Sequence, residues 1–112
     1  MTAPPVLVHS LSAEQTHQLH ALYQGEWWSR GRTLADVQAM LQRGSLVFAL
    51  YDASSGDLLA FARVLTDHIF KALIFDVIVH PAHRARGLGR TIIRHVLEHS
   101  DCLLYTSDAA DE

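Results

Sequence analysis

A chain of 112 residues, 49% hydrophobic and 19% charged with a formal net charge of −3, has room for one domain and one core. That composition excludes a disordered or fibrous protein, and no apolar run approaches the length needed to span a membrane. The start, Met1-Thr2-Ala3-Pro4-Pro5, has no basic segment followed by an apolar core, so a soluble cytoplasmic protein is expected, and with basic residues gathered at one turn neither nucleic acid nor membrane is an expected partner.

Val6 to Leu11 reads as a first strand. Ser12, with Gln15 three residues on, makes a capping box for a helix whose inward stripe is Leu19, Leu22, Tyr23 and Trp27. Thr33 and Asp36 form a second box, and Leu34, Val37, Met40 and Leu41 share one face before Gly44 closes that helix. Leu46 to Asp52 and Leu58 to Leu65 are strands joined by the hairpin signal Ala53-Ser54-Ser55-Gly56. Leu73 to Val79 is a further strand. Its β-branched Val77, Ile78 and Val79 sit in a continuous apolar run, as expected of burial on both faces, and Pro81 ends the ladder by removing a donor. From Leu88, the apolar residues Leu88, Ile92, Ile93, Val96 and Leu97 recur at helical spacing to about His99. The order β-α-α-β-β-β-α, with no repeat or linker, predicts a single α/β fold.

The turn from His83 to Gly89 therefore opens a helix, where amides lack intrahelical partners. Those N–H groups and the positive end of the helix dipole favour a phosphate or pyrophosphate. Gly87 and Gly89 remove side chains that would hold a ligand off the backbone, while Arg84, Arg86 and Arg90 add positive charge. A plain tight turn would explain the glycines but not three arginines in seven residues. Other phosphate motifs fit worse: a Rossmann fingerprint needs a third glycine where Ile92 stands, and a Walker A loop needs a Gly-Lys-Ser/Thr end.

Arg84-Ala85-Arg86-Gly87-Leu88-Gly89, behind a V-x-V-x-P run and ahead of an aliphatic helix, resembles the Arg/Gln-x-x-Gly-x-Gly/Ala signature of the GNAT (Gcn5-related N-acetyltransferase) superfamily. The resemblance extends over Val6 to Ser100 and implies a GNAT-like α/β fold, a mixed central sheet flanked by helices, lacking the fifth strand, fourth helix and closing strands. It implies an acyltransferase that moves an acetyl group from acetyl-CoA, its co-substrate, to a primary amine of a small molecule or protein, with no metal. Backbone groups of Val77 and Val79 would bond pantetheine and polarise the thioester carbonyl. Arg84, Ala85, Arg86, Gly87, Leu88, Gly89 and Arg90 would hold the pyrophosphate, with the Thr91 hydroxyl as an additional donor. The other expected partner is a second copy, a homodimer of the full-length protein.

Transfer to an amine needs a base and an acid. Asp76, a carboxylate among Phe75, Val77 and Ile78, is the first candidate base, since desolvation would raise its pKa; the alternative is a structural carboxylate bonded to backbone or an arginine. Glu26, in Glu26-Trp27-Trp28-Ser29-Arg30, is the second candidate. By the resemblance this loop borders the acceptor site, which assigns Trp28 and Arg30 to acceptor binding; helical spacing from Tyr23 gives Trp27 to the core. The acid, in many relatives a tyrosine of the fourth helix, is expected outside this chain. Among eight histidines, His17 with His20 and His95 with His99 have helical ligand spacing, but solvated or packing roles are expected for them.

Cys102 to Glu112 back-translates without a gap into DNA resembling a sequencing-library transposon adapter. The natural product would then be interrupted near Ser100 or Asp101, giving a partial acetyltransferase domain over 1–101, an adapter-derived tail over 102–112, and an inactive chain as it stands. Asp108, Asp111 and Glu112 carry the whole net charge, so the remainder is neutral. Two other classes remain open on sequence: a non-catalytic acyl-CoA-binding regulatory module, which would bind the cofactor without amine-dependent turnover, and an unrelated nucleotide-binding domain, which would prefer ATP or NAD.

Overall fold

A computed structural model describes residues 4–43, 45–66 and 72–99. Its elements are β1 (Val6–Val8), α1 (Ala13–Gln24), α2 (Leu34–Gln42), β2 (Ser45–Tyr51), β3 (Leu58–Thr66), β4 (Ala72–Val79), a 3₁₀ turn (Pro81–His83) and α3 (Leu88–Glu98). The helix stop expected at Gly44 and the adapter-like tail from Cys102 lie outside the described residues.

Both predicted capping boxes form. Ser12 Oγ accepts from the Gln15 amide at 3.1 Å while Gln15 Oε1 accepts from the Ser12 amide at 3.1 Å, and Thr33 and Asp36 make the same reciprocal pair. Two otherwise unpartnered donors are thereby satisfied at each helix start. Ser12→Ala should cost about 1 kcal/mol, seen as a lower urea midpoint at unchanged slope.

The strands pair in chain order, β1-β2-β3-β4, and every described ladder is antiparallel, so the sheet in these residues is antiparallel rather than mixed. Side chains alternate across it into two cores. On one face Leu88, Ile92 and Val96 of α3 pack on Phe48, Ala60, Ala62 and Ile74; on the other Leu19 and Tyr23 of α1 and Val37 of α2 pack on Val47, Phe61 and Ile78. The β2–β3 hairpin turns at Ala53 to Gly56, where the Asp52 carboxylate accepts from the Ser54 and Ser55 amides and Gly56 takes a φ of 78°.

Two details depart from the sequence reading. β1 stops at Val8 instead of reaching Leu11, and Trp27 is 83% exposed instead of buried. α1 ends at Gln24, and the Gly25 amide folds back onto the carbonyls of Leu22 and Tyr23. The chain has left the helix before Trp27 could come round to the core, so the 3.6-residue period no longer applies to it.

β4 carries an irregularity that shapes the site. Phe61 pairs with Ile78 and Arg63 with Phe75, so Ala62 alone on β3 faces two residues, Asp76 and Val77, on β4. This is a β-bulge. Asp76 sits at it with φ 57°, a left-handed conformation that Asp tolerates better than most residues with a Cβ. The extra residue puts Val77 and Val79 on the α3 side, with Asp76 and Ile78 on the α1 and α2 side.

Candidate active site

A cleft of about 650 Å³ opens beside the bulged half of β4. Its walls are Asp76 to Val79, Arg84 after the 3₁₀ turn, Gly89 and Ile93 on α3, and Glu26, Trp27 and Trp28 on the loop after α1. The phosphate-type turn and the suspected acceptor loop, far apart in sequence, therefore face one space.

At the bulge, Asp76 is a hub. Its side chain is 7% exposed and accepts from Tyr23 Oη at 3.1 Å, Arg32 Nη1 at 2.9 Å and Arg63 Nε at 3.0 Å, all on Oδ2. The Arg32 guanidinium also lies over the rings of Tyr23 and Trp28, at 4.6 and 5.6 Å from their centroids. A buried carboxylate is stable only when compensated in this way. Burial works against the charge on Arg32, but the hydrogen bond and charge of Asp76 outweigh it and raise its pKa. Burial, and then the Asp76 charge, push the Tyr23 phenol well above its ordinary 10.0. Since the folded state holds that proton more tightly than the unfolded chain, stability from this group is intact below about pH 10 and is lost as pH rises further. Tyr23→Phe should therefore flatten the alkaline limb of a stability–pH curve measured by denaturant titration.

Glu26 has a different partner. Its Oε1 accepts from Arg84 Nη2 at 2.7 Å, and the Arg84 Nε donates to the Val79 carbonyl at 3.3 Å. Arg84 thus joins the loop after α1 to the backbone of β4.

The turn itself explains its glycines separately. Gly87 caps α3 with φ 74° and makes no side-chain cap bond, so glycine is required there by the backbone, and Ala85 also takes a positive φ of 69°. Gly89 has no such need: a Cβ there would meet Val79 Cγ2 at 3.6 Å, ordinary contact distance. What its lack of a side chain leaves is room in the cleft wall.

Of the residues the sequence assigned to cofactor binding, Val77, Val79, Arg84 and Gly89 line the cleft. Leu88 is buried in the α3 core and can offer only its backbone. Arg86 pairs with the His83 ring at 2.6 Å, and Arg86 and Arg90 are exposed outside the lining. The Thr91 hydroxyl, expected as a free donor, gives its proton to the Gly87 carbonyl at 2.9 Å, the usual back-bond of a helical threonine. Trp28 lines the cleft; Arg30 is exposed, donates from Nε to the Gln24 carbonyl at 3.3 Å and lies outside the lining. Ile93 and Trp27 were not anticipated there. Ile93 stands one helical turn after Gly89 and so shares its face.

Among the described residues no group of three His, Cys, Asp or Glu side chains is placed to hold a metal ion, and no helix is long and apolar enough to cross a membrane.

The sequence model of the acetyltransferase (GNAT) family matches residues 13–107. The chain belongs to that family. Its GNAT relatives include a protein of Pyropia yezoensis named as an uncharacterized N-acetyltransferase, ycf52, 33% identical over 85 residues, which are 73% of this chain and 48% of the relative. A GNAT-family acetyltransferase of Xanthomonas campestris pv. campestris superposes with a TM-score of 0.77 at 27% identity, covering 99% of this chain and 79% of that one. The fold alone is shared with an aminoglycoside 6'-N-acetyltransferase crystallised with coenzyme A, at a TM-score of 0.69 and 15% identity over 80% of this chain and 52% of that one. The GNAT chain spans about half the length of the curated relatives it matches.

Proposed function

We propose that this chain carries the cofactor-binding part of an N-acetyltransferase that moves an acetyl group from acetyl-CoA to a primary amine of a small molecule or protein. The observation that carries this reading is the cleft between the bulged β4 backbone and the start of α3, with Gly89 and Arg84 in its wall and the Glu26 loop opposite. Free amides at the start of α3 suit a diphosphate, as bound coenzyme A carries in the aminoglycoside enzyme. The neighbouring β4 backbone offers N–H and C=O groups for an extended amide-bearing arm lying along the strand.

In the reaction the amine nitrogen forms a bond to the acetyl carbon, the carbon–sulfur bond breaks, the amine loses a proton and the leaving thiolate gains one. Backbone N–H groups around Val77 and Val79 are suited to stabilise the oxyanion formed on the way. Glu26 is the better base of the two carboxylates. Asp76 Oδ2 is already occupied by three donors, two of them guanidiniums, whereas Glu26 faces the cleft with a single partner on an exposed arginine. Asp76 then serves as a positioning residue that fixes the bulge.

The test is to titrate the full-length protein with acetyl-CoA and then to follow CoA release with a panel of amines. Binding with amine-dependent release is expected. Binding without it would turn the assignment toward an acyl-CoA-binding module, and a preference for ATP or NAD would defeat it.

A further inference from the structure

We infer that Arg84 is a cofactor-released latch on Glu26, so that a diphosphate in the cleft shifts the acceptor carboxylate from its paired to its free state. This rests on the acetyl-CoA reading above and adds to it an order of events. The Arg84 side chain bonds both sides of the site: Nη2 donates to Glu26 on the loop after α1 and Nε to the Val79 carbonyl on β4. Both bonds stand where ligands would. The Val79 carbonyl belongs to the strand backbone that lines the cleft, and Glu26 lines its acceptor side. A guanidinium seated on these two groups therefore competes with a ligand arm for the strand and with an amine for the carboxylate.

The latch is weak enough to open. The Arg84 side chain is 55% exposed and that of Glu26 24%, so the pair is screened and contributes little to stability. A diphosphate offers the same guanidinium two formal charges and bidentate geometry, a better partner than one carboxylate. When Arg84 turns to it, the Val79 carbonyl and Glu26 are released together. Glu26 is then an unpaired carboxylate next to Trp28, ready to accept a proton from an amine. Without cofactor the paired state of Glu26 is the more populated one, which biases binding toward cofactor first and acceptor second by the same modest factor.

Thermodynamic reciprocity makes this testable by binding alone, since breaking the ion pair is part of the cost of binding the cofactor. Glu26→Gln should tighten coenzyme A binding by about two- to fivefold, the range set by an exposed ion pair. Arg84→Met should weaken it, and Glu26→Gln added to Arg84→Met should give no further gain. Calorimetric titration of the four proteins with coenzyme A measures the cycle. The sequence's two tryptophans, Trp27 and Trp28, both adjoin Glu26, so tryptophan emission reports the same event without turnover. Coenzyme A should change that emission in the wild type and less so in Arg84→Met. Additive effects of the two substitutions, or weaker binding by Glu26→Gln, overturn the latch while leaving the cofactor assignment intact. Failure of the wild type to bind coenzyme A at all overturns both.

Discussion

Gly89→Glu should abolish detectable coenzyme A binding while leaving the protein as stable as before, or slightly more so. The two halves of that expectation have separate causes. In the free protein the position is permissive: the new Cβ meets only Val79 Cγ2 at 3.6 Å, and replacing a helical glycine near an N-terminus by an acid gains backbone entropy and a favourable dipole interaction. With ligand present the same side chain fills the cleft wall and sets a negative charge against the diphosphate. Steric exclusion and like-charge repulsion in a partly dry site together should cost on the order of 4 kcal/mol, about a thousandfold in Kd. A calorimetric titration beside a thermal melt separates the outcomes. Unchanged affinity in a folded variant would show that the start of α3 is not the diphosphate site. Gly87→Glu would be a poorer test, because φ 74° there penalises any side chain before a ligand arrives.

What the sequence made legible follows the range of the interactions involved. Caps are local: Ser12 with Gln15 and Thr33 with Asp36 obey a rule spanning four residues, and both form as read. The α3 stripe obeys a period, and Leu88, Ile92 and Val96 are buried on it. Trp27 shows where a period misleads, since the helix ends at Gln24 and Gly25, a helix-stopping residue, stands before it in the chain. Asp76 shows the harder case. A charge in an apolar strand announces that it needs partners, but Tyr23, Arg32 and Arg63 lie 53, 44 and 13 residues away. Arg63 was the detectable one, because it is the only charge in Leu58 to Leu65, the strand that precedes β4 in the chain, and two lone opposite charges in adjoining apolar strands are placed to pair. The bulge was not legible, since apolar residues stand on both sides of the register shift, Leu73 to Phe75 before it and Val77 to Val79 after it. Ile93 was legible: one turn beyond Gly89, it shares the helix face that lines the cleft.

The largest effect on turnover is expected at Glu26, not at the buried carboxylate. Glu26→Gln keeps size and hydrogen-bonding capacity but cannot hold the amine's proton, so kcat in the full-length protein should fall by about 10²- to 10⁴-fold, the contribution of a positioned base. Asp76→Asn should behave differently. It leaves two guanidiniums around a neutral amide with a side chain 7% exposed, an uncompensated charge that costs about 3–5 kcal/mol where burial is complete. Arg32 and Arg63 are 31% and 21% exposed, so solvent screens part of that cost and about 2 kcal/mol of stability is expected to be lost. Turnover by the folded Asp76→Asn fraction should drop only modestly, through a loosened bulge. Measuring denaturant midpoints, kcat and KM for both variants distinguishes the roles: a base shows in kcat at constant stability, and an anchor shows in stability first. If Asp76→Asn instead loses turnover a hundredfold or more at an unchanged midpoint while Glu26→Gln stays active, the roles are reversed and the Asp76 carboxylate takes the amine's proton.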